Sequence, residues 1–171
     1  VIVRENVTIN RGTVAYGTTT IGNNVLLMAS THVAHDCIIS DNVIMANMST
    51  LGGHVEIKEY ASLGGGVLVH QFCKIGSHVF IGGGFRVVQD VPPFILAAGE
   101  PLRYGGINSI GLKRRGFTTE TLTNIKKAYR KYFRSDLPRS SALEKMKNEM
   151  ENSVEIEEII NFIDTSERGI I

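Results

Sequence analysis

IGNNVL-LMASTH-VAHDCI-ISDNVI-MANMST-LGGHVE-IKEYAS-LGGGVL-VHQFCK-IGSHVF-IGGGFR-V, from Ile21 to Val87, opens every six residues with an aliphatic: Ile21, Leu27, Val33, Ile39, Met45, Leu51, Ile57, Leu63, Val69, Ile75, Ile81 and Val87. The phase extends back through Ile9 and Val3, and only Ala15 and the segment Tyr16 to Thr20 disturb it. Four residues after each aliphatic stands a small or β-branched residue, as at Val25, Cys37, Val43, Ser49, Val55 and Val67. A helix buries one face with a period of 3.6 and a strand with a period of 2, so a period of six fits neither as a long element. It fits two-residue strands joined by tight corners, for which Gly22-Asn23-Asn24, Asp41-Asn42, Gly64-Gly65-Gly66 and Gly76-Ser77 supply turn residues. Such units stack into a parallel β-helix whose coils pair with one another and cannot fold singly.

If three sixes make one triangular coil, positions eighteen apart lie above one another at about one interstrand spacing, ~4.8 Å. Cys37, Val55 and Cys73 then form one inward line, with the two cysteines roughly 10 Å apart, beyond disulfide reach. They read as buried thiols of a reducing compartment. From Pro92-Pro93 the sixes stop. The spacing of Leu122, Ile125, Tyr129, Tyr132 and Phe133 predicts a helix, which Pro138 ends; Ser141 with Glu144 predicts a capping box for a second, and Ile156, Ile159, Ile160 and Ile163 mark a third. The expected division is a β-helix over residues 1–92, a connector over 93–117 and a helical domain over 118–171.

The formal net charge of +1 conceals segregation: residues 100–139 carry 10 basic and 3 acidic side chains, whereas residues 140–171 carry 3 and 8. No apolar run approaches the roughly 20 residues of a membrane-spanning helix, and VIVRENVTIN at the start has no signal-peptide pattern. The expected setting is the cytoplasm.

Polar side chains interrupt the repeat along one edge. His35 projects onto Gly53 and Gln71, Asp36 onto His54 and Phe72, and His70 adjoins Gln71. One coil down, the eighteen-residue spacing places Gly17 under His35, so the Tyr16 to Thr20 irregularity becomes a lip of the same edge. A histidine beside a carboxylate suits a general base, and Gly53 offers a backbone N–H to a developing oxyanion, a set that suits acyl transfer to a hydroxyl. The alternative is that these corner residues are polar because they face water. His32 and His35 also make a His-x-x-His pair, but it lacks the helical i, i+4 spacing of a metal motif and inward cysteines cannot join it, so no metal is expected. His78 reads as a solvated corner residue. Lys113-Arg114-Arg115 with Lys126, Lys127, Arg130, Lys131 and Arg134 suits an acidic protein partner better than nucleic acid, because Tyr129 and Phe133 lie on the helix's apolar stripe; a merely solubilising face is the alternative.

THVAHDC (Thr31 to Cys37), LGGHV (Leu51 to Val55), VHQFCKIG (Val69 to Gly76), QDVPPF (Gln89 to Phe94) and GLKRRGF (Gly111 to Phe117) together resemble the acyl-carrier-protein:UDP-N-acetylglucosamine O-acyltransferases of lipid A biosynthesis, hexapeptide-repeat enzymes. The resemblance spans nearly the whole chain and implies a left-handed coil, where general crossover rules favour the right hand. It implies transfer of a (3R)-hydroxyacyl group from acyl carrier protein to the sugar 3-hydroxyl, with His35 as base, Asp36 orienting it and Gly53 supplying the oxyanion contact. It further implies substrate contacts from His32, His54, His70 and Gln71, phosphate or carrier-protein contacts from Asn108, Arg114 and Arg115, and a long-chain acyl ruler at Gly83. A homotrimer with sites between subunits is implied too, with no cofactor of its own, since 4'-phosphopantetheine arrives on the donor. Two departures bear on the nucleotide: Ile110 stands where the family often has Glu, and Glu100-Pro101 where it often has Asn-His. The chain opens inside a six, as if further coils, including one that carries a substrate-contacting lysine, precede it. The competing readings are the related N-acyltransferase, which has an added uridine-binding domain; a β-helical carbonic anhydrase, which needs three histidines on zinc; and a non-catalytic carrier-protein scaffold.

Overall fold

A computed structural model describes residues 1–171. The sixes form a left-handed parallel β-helix of about four turns, followed by helices. Each six contributes a two-residue strand, and the strands stack into three walls. One wall holds Leu26–Leu27, Ile44–Met45, Ser62–Leu63 and Phe80–Ile81; the second Thr8–Ile9, His32–Val33, Thr50–Leu51, Leu68–Val69 and Arg86–Val87; the third Thr20–Ile21, Ile38–Ile39, Glu56–Ile57 and Lys74–Ile75. From Thr20 upward every pairing within the coils is parallel with an offset of eighteen, as Val33 with Leu51 and Ile39 with Ile57. The aliphatics that open the sixes point inward, and those from Leu27 to Val87 are at most 4% exposed. The small fifth residues Val25, Cys37, Val43, Ser49, Val55 and Val67 are 0% exposed, which explains their size: they fill the corners of a narrow triangular core. Cys37 and Cys73 are free thiols in that core.

The corners differ from the sequence expectation in one respect. The residue that takes left-handed backbone is the fourth of each six, and it is mostly not glycine: Asn24 (φ 54°), Asp36 (59°), His54 (60°), Tyr60 (59°), Phe72 (65°) and His78 (56°). For such side chains the conformation costs roughly 1–2 kcal/mol each. The stacking of corner side chains from coil to coil offsets that cost. Glycine at the second position serves close approach instead: a Cβ on Gly52 would lie 2.7 Å from Gln71 N, and one on Gly64 2.5 Å from Gly83 N.

The first coil also departs from expectation. Thr8–Ile9 pairs with His32–Val33, an offset of twenty-four, because six extra residues loop out between Asn10, whose N–H still donates to Val33 O, and Thr20, which pairs with Ile38 at the regular offset of eighteen. The residue beneath His35 is therefore Arg11 and not Gly17.

The segment read as a connector carries two antiparallel strands, Ile95–Ala98 and Arg103–Ile107, and the short helix α1, Ser109–Arg114. Helix α2, Thr119–Arg134, buries Leu122, Ile125, Tyr129 and Tyr132, and the Tyr129 hydroxyl donates to Pro93 O at 2.5 Å, tying it to the end of the solenoid. Helix α3 runs Arg139–Glu149 from an N-cap at Pro138 with no side-chain cap, so the capping box read at Ser141 and Glu144 does not form; both lie inside the helix. Helix α4, Val154–Asp164, is capped by Ser153 and packs Ile156, Ile159 and Ile163 inward.

Candidate active site

The second and third walls meet at a corner where Asp36, His54 and Phe72 stack in register, each held in left-handed backbone by the coil below: His54 N–H donates to His35 O, and Phe72 N–H to Gly53 O. The Phe72 ring lies parallel to the His54 ring at 4.5 Å, and the His35 ring meets His54 edge-on at 5.1 Å. From the opposite side Tyr16, carried by the extra loop, contacts His54 edge-on at 4.6 Å. The irregular loop is thus a lip of this corner, as its sequence suggested.

His35 and Asp36 form the centre. His35 Nδ1 lies 2.8 Å from Asp36 Oδ2, with the histidine side chain 43% exposed and the aspartate 1%. Burial pushes the Asp36 carboxyl up, but hydrogen bonds from His35 and from the Thr13 side chain and backbone, with the His54 charge, outweigh it and hold the carboxyl below its usual range. Thr13 N–H donates to Asp36 Oδ1 at 2.9 Å, and Asp36 N–H donates to Thr19 Oγ1 at 2.9 Å. An ionised carboxylate only accepts, so neutral His35 carries its proton on Nδ1 and leaves the Nε2 lone pair facing outward. That is the protonation pattern of a general base.

Gly53 is buried directly against this ring. A Cβ on it would lie 2.6 Å from His35 Cε1 and 2.8 Å from Nε2, so only glycine leaves the imidazole in place. Its N–H donates to no group in the chain. An N–H donor beside a base matches the geometry needed to hold a tetrahedral oxyanion while a proton is removed nearby.

His32 lies on the second wall with Nδ1 2.7 Å from Thr8 Oγ1, and the exposed His70 turns Nδ1 toward Gln71 O at 3.1 Å. Both border the corner, as does exposed Gln71. Gly83 sits at a different corner, between the first and second walls, where a Cβ would meet Gly65 O at 3.0 Å. Asn108, Arg114 and Arg115 gather at the third corner. Asn108 caps α1 through Gly111 N–H and donates to His78 O at 2.9 Å, while Arg115 donates to Tyr60 O and lies 4.9 Å from the Tyr60 ring centre. Arg114 is exposed. Within one chain these three do not reach His35.

His78 is not a solvated residue. Its ring stacks between Tyr60 (4.9 Å) and Phe94 (5.7 Å) with Phe117 edge-on, and burial followed by the Arg115 charge pushes it down to about 4.

His35, Asp36 and His54 offer three ligand atoms within 4.8 Å of one another. His35 Nδ1 and Asp36 Oδ2 are hydrogen-bonded to each other, His54 Nε2 stands 3.9 Å from that same oxygen, and neither cysteine leaves the core. The donor set is arranged as a base with its orienting acid. No helix is long and apolar enough to cross a membrane. Sequence reasoning missed Thr13 and Thr19, which fix Asp36, and the aromatic faces of Tyr16 and Phe72.

Comparison with known proteins bears on this geometry. Residues 90–171 match a family model described as UDP N-acetylglucosamine O-acyltransferase, domain 2, and residues 18–53 match the bacterial transferase hexapeptide repeat. An acyl-[acyl-carrier-protein]–UDP-N-acetylglucosamine O-acyltransferase of Chlorobaculum tepidum is 57% identical over 94% of this chain and 61% of its own. One of Syntrophobacter fumaroxidans is 47% identical over 99% of this chain and 67% of its own. The crystal structure of a UDP-N-acetylglucosamine acyltransferase from Bacteroides fragilis superposes with a TM-score of 0.96 at 51% identity, over 98% of this chain and 66% of that one. The Francisella novicida enzyme gives 0.96 at 40%, over 99% and 63%. The chain therefore spans about three fifths to two thirds of the length of these relatives.

Proposed function

The chain belongs to the family of acyl-[acyl-carrier-protein]–UDP-N-acetylglucosamine O-acyltransferases, and from that premise we propose that it transfers a (3R)-hydroxyacyl group from acyl carrier protein to the 3-hydroxyl of UDP-N-acetylglucosamine, the first step of lipid A biosynthesis. The observation that carries this reading is the His35 Nδ1–Asp36 Oδ2 pair at 2.8 Å with Gly53 N–H unpaired beside it. His35 Nε2 takes the proton of the sugar hydroxyl as its oxygen attacks the thioester carbonyl. The carbonyl oxygen becomes an oxyanion, and Gly53 N–H donates to it. Collapse breaks the C–S bond, and His35 returns its proton to the departing pantetheine thiolate. Asp36 stays ionised throughout and stabilises the imidazolium.

The proposed assembly is a homotrimer. Asn108, Arg114 and Arg115 at one corner then serve the His35 corner of a neighbour, and the half-exposed Ile44 (38%) and Phe80 (40%) on the first wall find cover. Light scattering of the purified protein tests this. Exposed cations of α2, Lys127, Arg130 and Arg134, suit an acidic carrier protein by long-range attraction. The proposed setting is cytoplasmic, and the protein brings no cofactor of its own because the phosphopantetheine comes with the donor.

The experiment is incubation of (3R)-hydroxyacyl carrier protein with UDP-N-acetylglucosamine and analysis of the product. An alkali-labile ester at the 3-position supports the proposal. No product from this acceptor, whose nitrogen is already acetylated, together with an alkali-stable amide from a UDP-glucosamine acceptor carrying a free 2-amine, assigns N-acylation instead. Carrier-protein binding with the acyl group left in place on either acceptor assigns a scaffold.

A further inference from the structure

At the His35 corner the first coil contributes a cation. Ile9 pairs with Val33, and Asn10 N–H donates to Val33 O at 2.9 Å, so Arg11 takes the turn position that His35 occupies one coil higher. The column reads Arg11, His35, Gly53, Gln71: a guanidinium, a base, an oxyanion donor and an amide, each step about one interstrand spacing of ~4.8 Å. Arg11 is exposed and makes no hydrogen bond or ion pair within the chain, unlike Arg4, which pairs with Glu5 at 3.1 Å. With His35 it lines a cavity of about 550 Å³ whose other walls are Asn10, Gly12, Thr13, Val14 and Gly17. No carboxylate lines that cavity, and the Asp36 oxygens are taken up by His35 and the Thr13 N–H. An unpaired guanidinium beside a base, with no carboxylate in the lining, is suited to an oxyanion that is part of the substrate.

We infer that Arg11 binds the diphosphate of the nucleotide-sugar acceptor, so that the acceptor occupies the cavity below His35 and the thioester approaches from the Gly53 and Gln71 side. In a pyranose the 3-hydroxyl and the anomeric phosphate lie on opposite sides of the ring, so an acceptor whose hydroxyl meets His35 carries its phosphate to one side of that residue, and Arg11 is the cation that lines the cavity there. The donor's phosphate, by contrast, is separated from the reacting carbonyl by the whole pantetheine arm. An extended arm carries that phosphate well away from Arg11 while the carbonyl oxygen lies at Gly53 N–H. The identity of the anion rests on the acyl-transfer reading above; the cavity and its charge do not.

The test compares wild type, Arg11→Gln and Arg11→Lys by calorimetric titration with UDP and with UDP-N-acetylglucosamine, then by steady-state assay with each substrate varied. A charge-assisted contact to phosphate predicts a rise of roughly 10-fold or more in UDP dissociation constant and acceptor KM for Arg11→Gln, with a smaller rise for Arg11→Lys. The donor KM stays near wild type, and kcat falls less than the acceptor KM rises. An unchanged acceptor KM and UDP affinity overturns the inference, as does wild-type protein that binds no UDP. A rise confined to the donor KM also overturns it and assigns the cation to the pantetheine phosphate. UDP binding through Arg11 without any acyl transfer keeps the inference and sinks the acyl-transfer reading; normal transfer by Arg11→Gln sinks the inference alone.

Discussion

Replacing Gly53 by alanine separates the catalytic reading of the corner from a purely structural one. The added methyl carbon would stand 2.6 Å from His35 Cε1, whereas carbon atoms in contact rest about 3.5–4.0 Å apart, so the imidazole must retreat by about 1 Å. The ring has somewhere to go, since its side chain is 43% exposed, but the motion breaks its bond to Asp36 and moves Nε2 away from the hydroxyl. A misplacement of ~1 Å at a reacting centre costs on the order of 10²-fold in rate. The fold should hardly notice. Gly53 is not in the left-handed region, so alanine suits its backbone and recovers roughly 0.4–1 kcal/mol from the unfolded chain. Gly52→Ala is the control: its Cβ meets the Gln71 backbone at 2.7 Å, which cannot swing aside, so stability falls as well as activity. The assay is kcat for ester formation beside thermal unfolding of each variant. A Gly53→Ala protein that keeps its melting temperature and a kcat within about threefold of wild type would refute the placement of the base.

Asp36→Asn should slow transfer by roughly 10- to 100-fold, less than loss of His35, because an amide no longer fixes the proton on Nδ1 or stabilises the imidazolium; single-turnover rates of the two variants check the order. Burial lowers His78 from 6.5 to about 4, so the unfolded chain takes up this proton first as pH falls. The stability His78 permits is complete above pH ~6.5 and is lost between there and about 4, by roughly 1–2 kcal/mol after allowance for partial exposure. Denaturant titrations across that range should show a shallower slope for His78→Phe, a residue that Phe72 and Phe94 show the corner accepts in left-handed backbone. If the acyl tail passes Gly83, Gly83→Met shifts preference toward shorter donors by about 0.8 kcal/mol per excluded methylene, read from a panel of hydroxyacyl carrier proteins; an unchanged preference places the tail elsewhere.

The period of six made the solenoid, the inward cysteines and the register of His35 over Gly53 readable from residues alone, because one small integer fixes every coil. The first coil escaped for the same reason. The extra loop is six residues long, so Ile9 and Ile21 stay in phase and only the missing aliphatic at Ala15 betrays it; the projection of His35 onto Gly17 failed there, and Arg11, Thr13 and Thr19 went unnoticed. Left-handed corners at His54 and Phe72 were equally hidden, since turn chemistry points to Gly and Asn while the stack of rings overrides it. His78 was misread because what covers it, Phe117 and Arg115, comes from a segment with no place in the repeat. Counting sixes is enough to put Gly83, third in its six after the first wall, at a different corner from His35. That Asn108 and Arg115 are committed to the corner of Tyr60 and His78 needed coordinates.

The most direct test of the account is the rate of 3-O-acyl ester formation by wild type and His35→Ala, with both substrates saturating and circular dichroism confirming the same fold. Removal of an exposed corner side chain leaves the packed triangle intact, and loss of the base should lower the rate by on the order of 10²-fold or more across the pH range. A His35→Ala protein that forms the ester at near wild-type rate contradicts the account, because no other side chain at the corner has its proton held on one nitrogen by a buried carboxylate and its second nitrogen turned to Gly53.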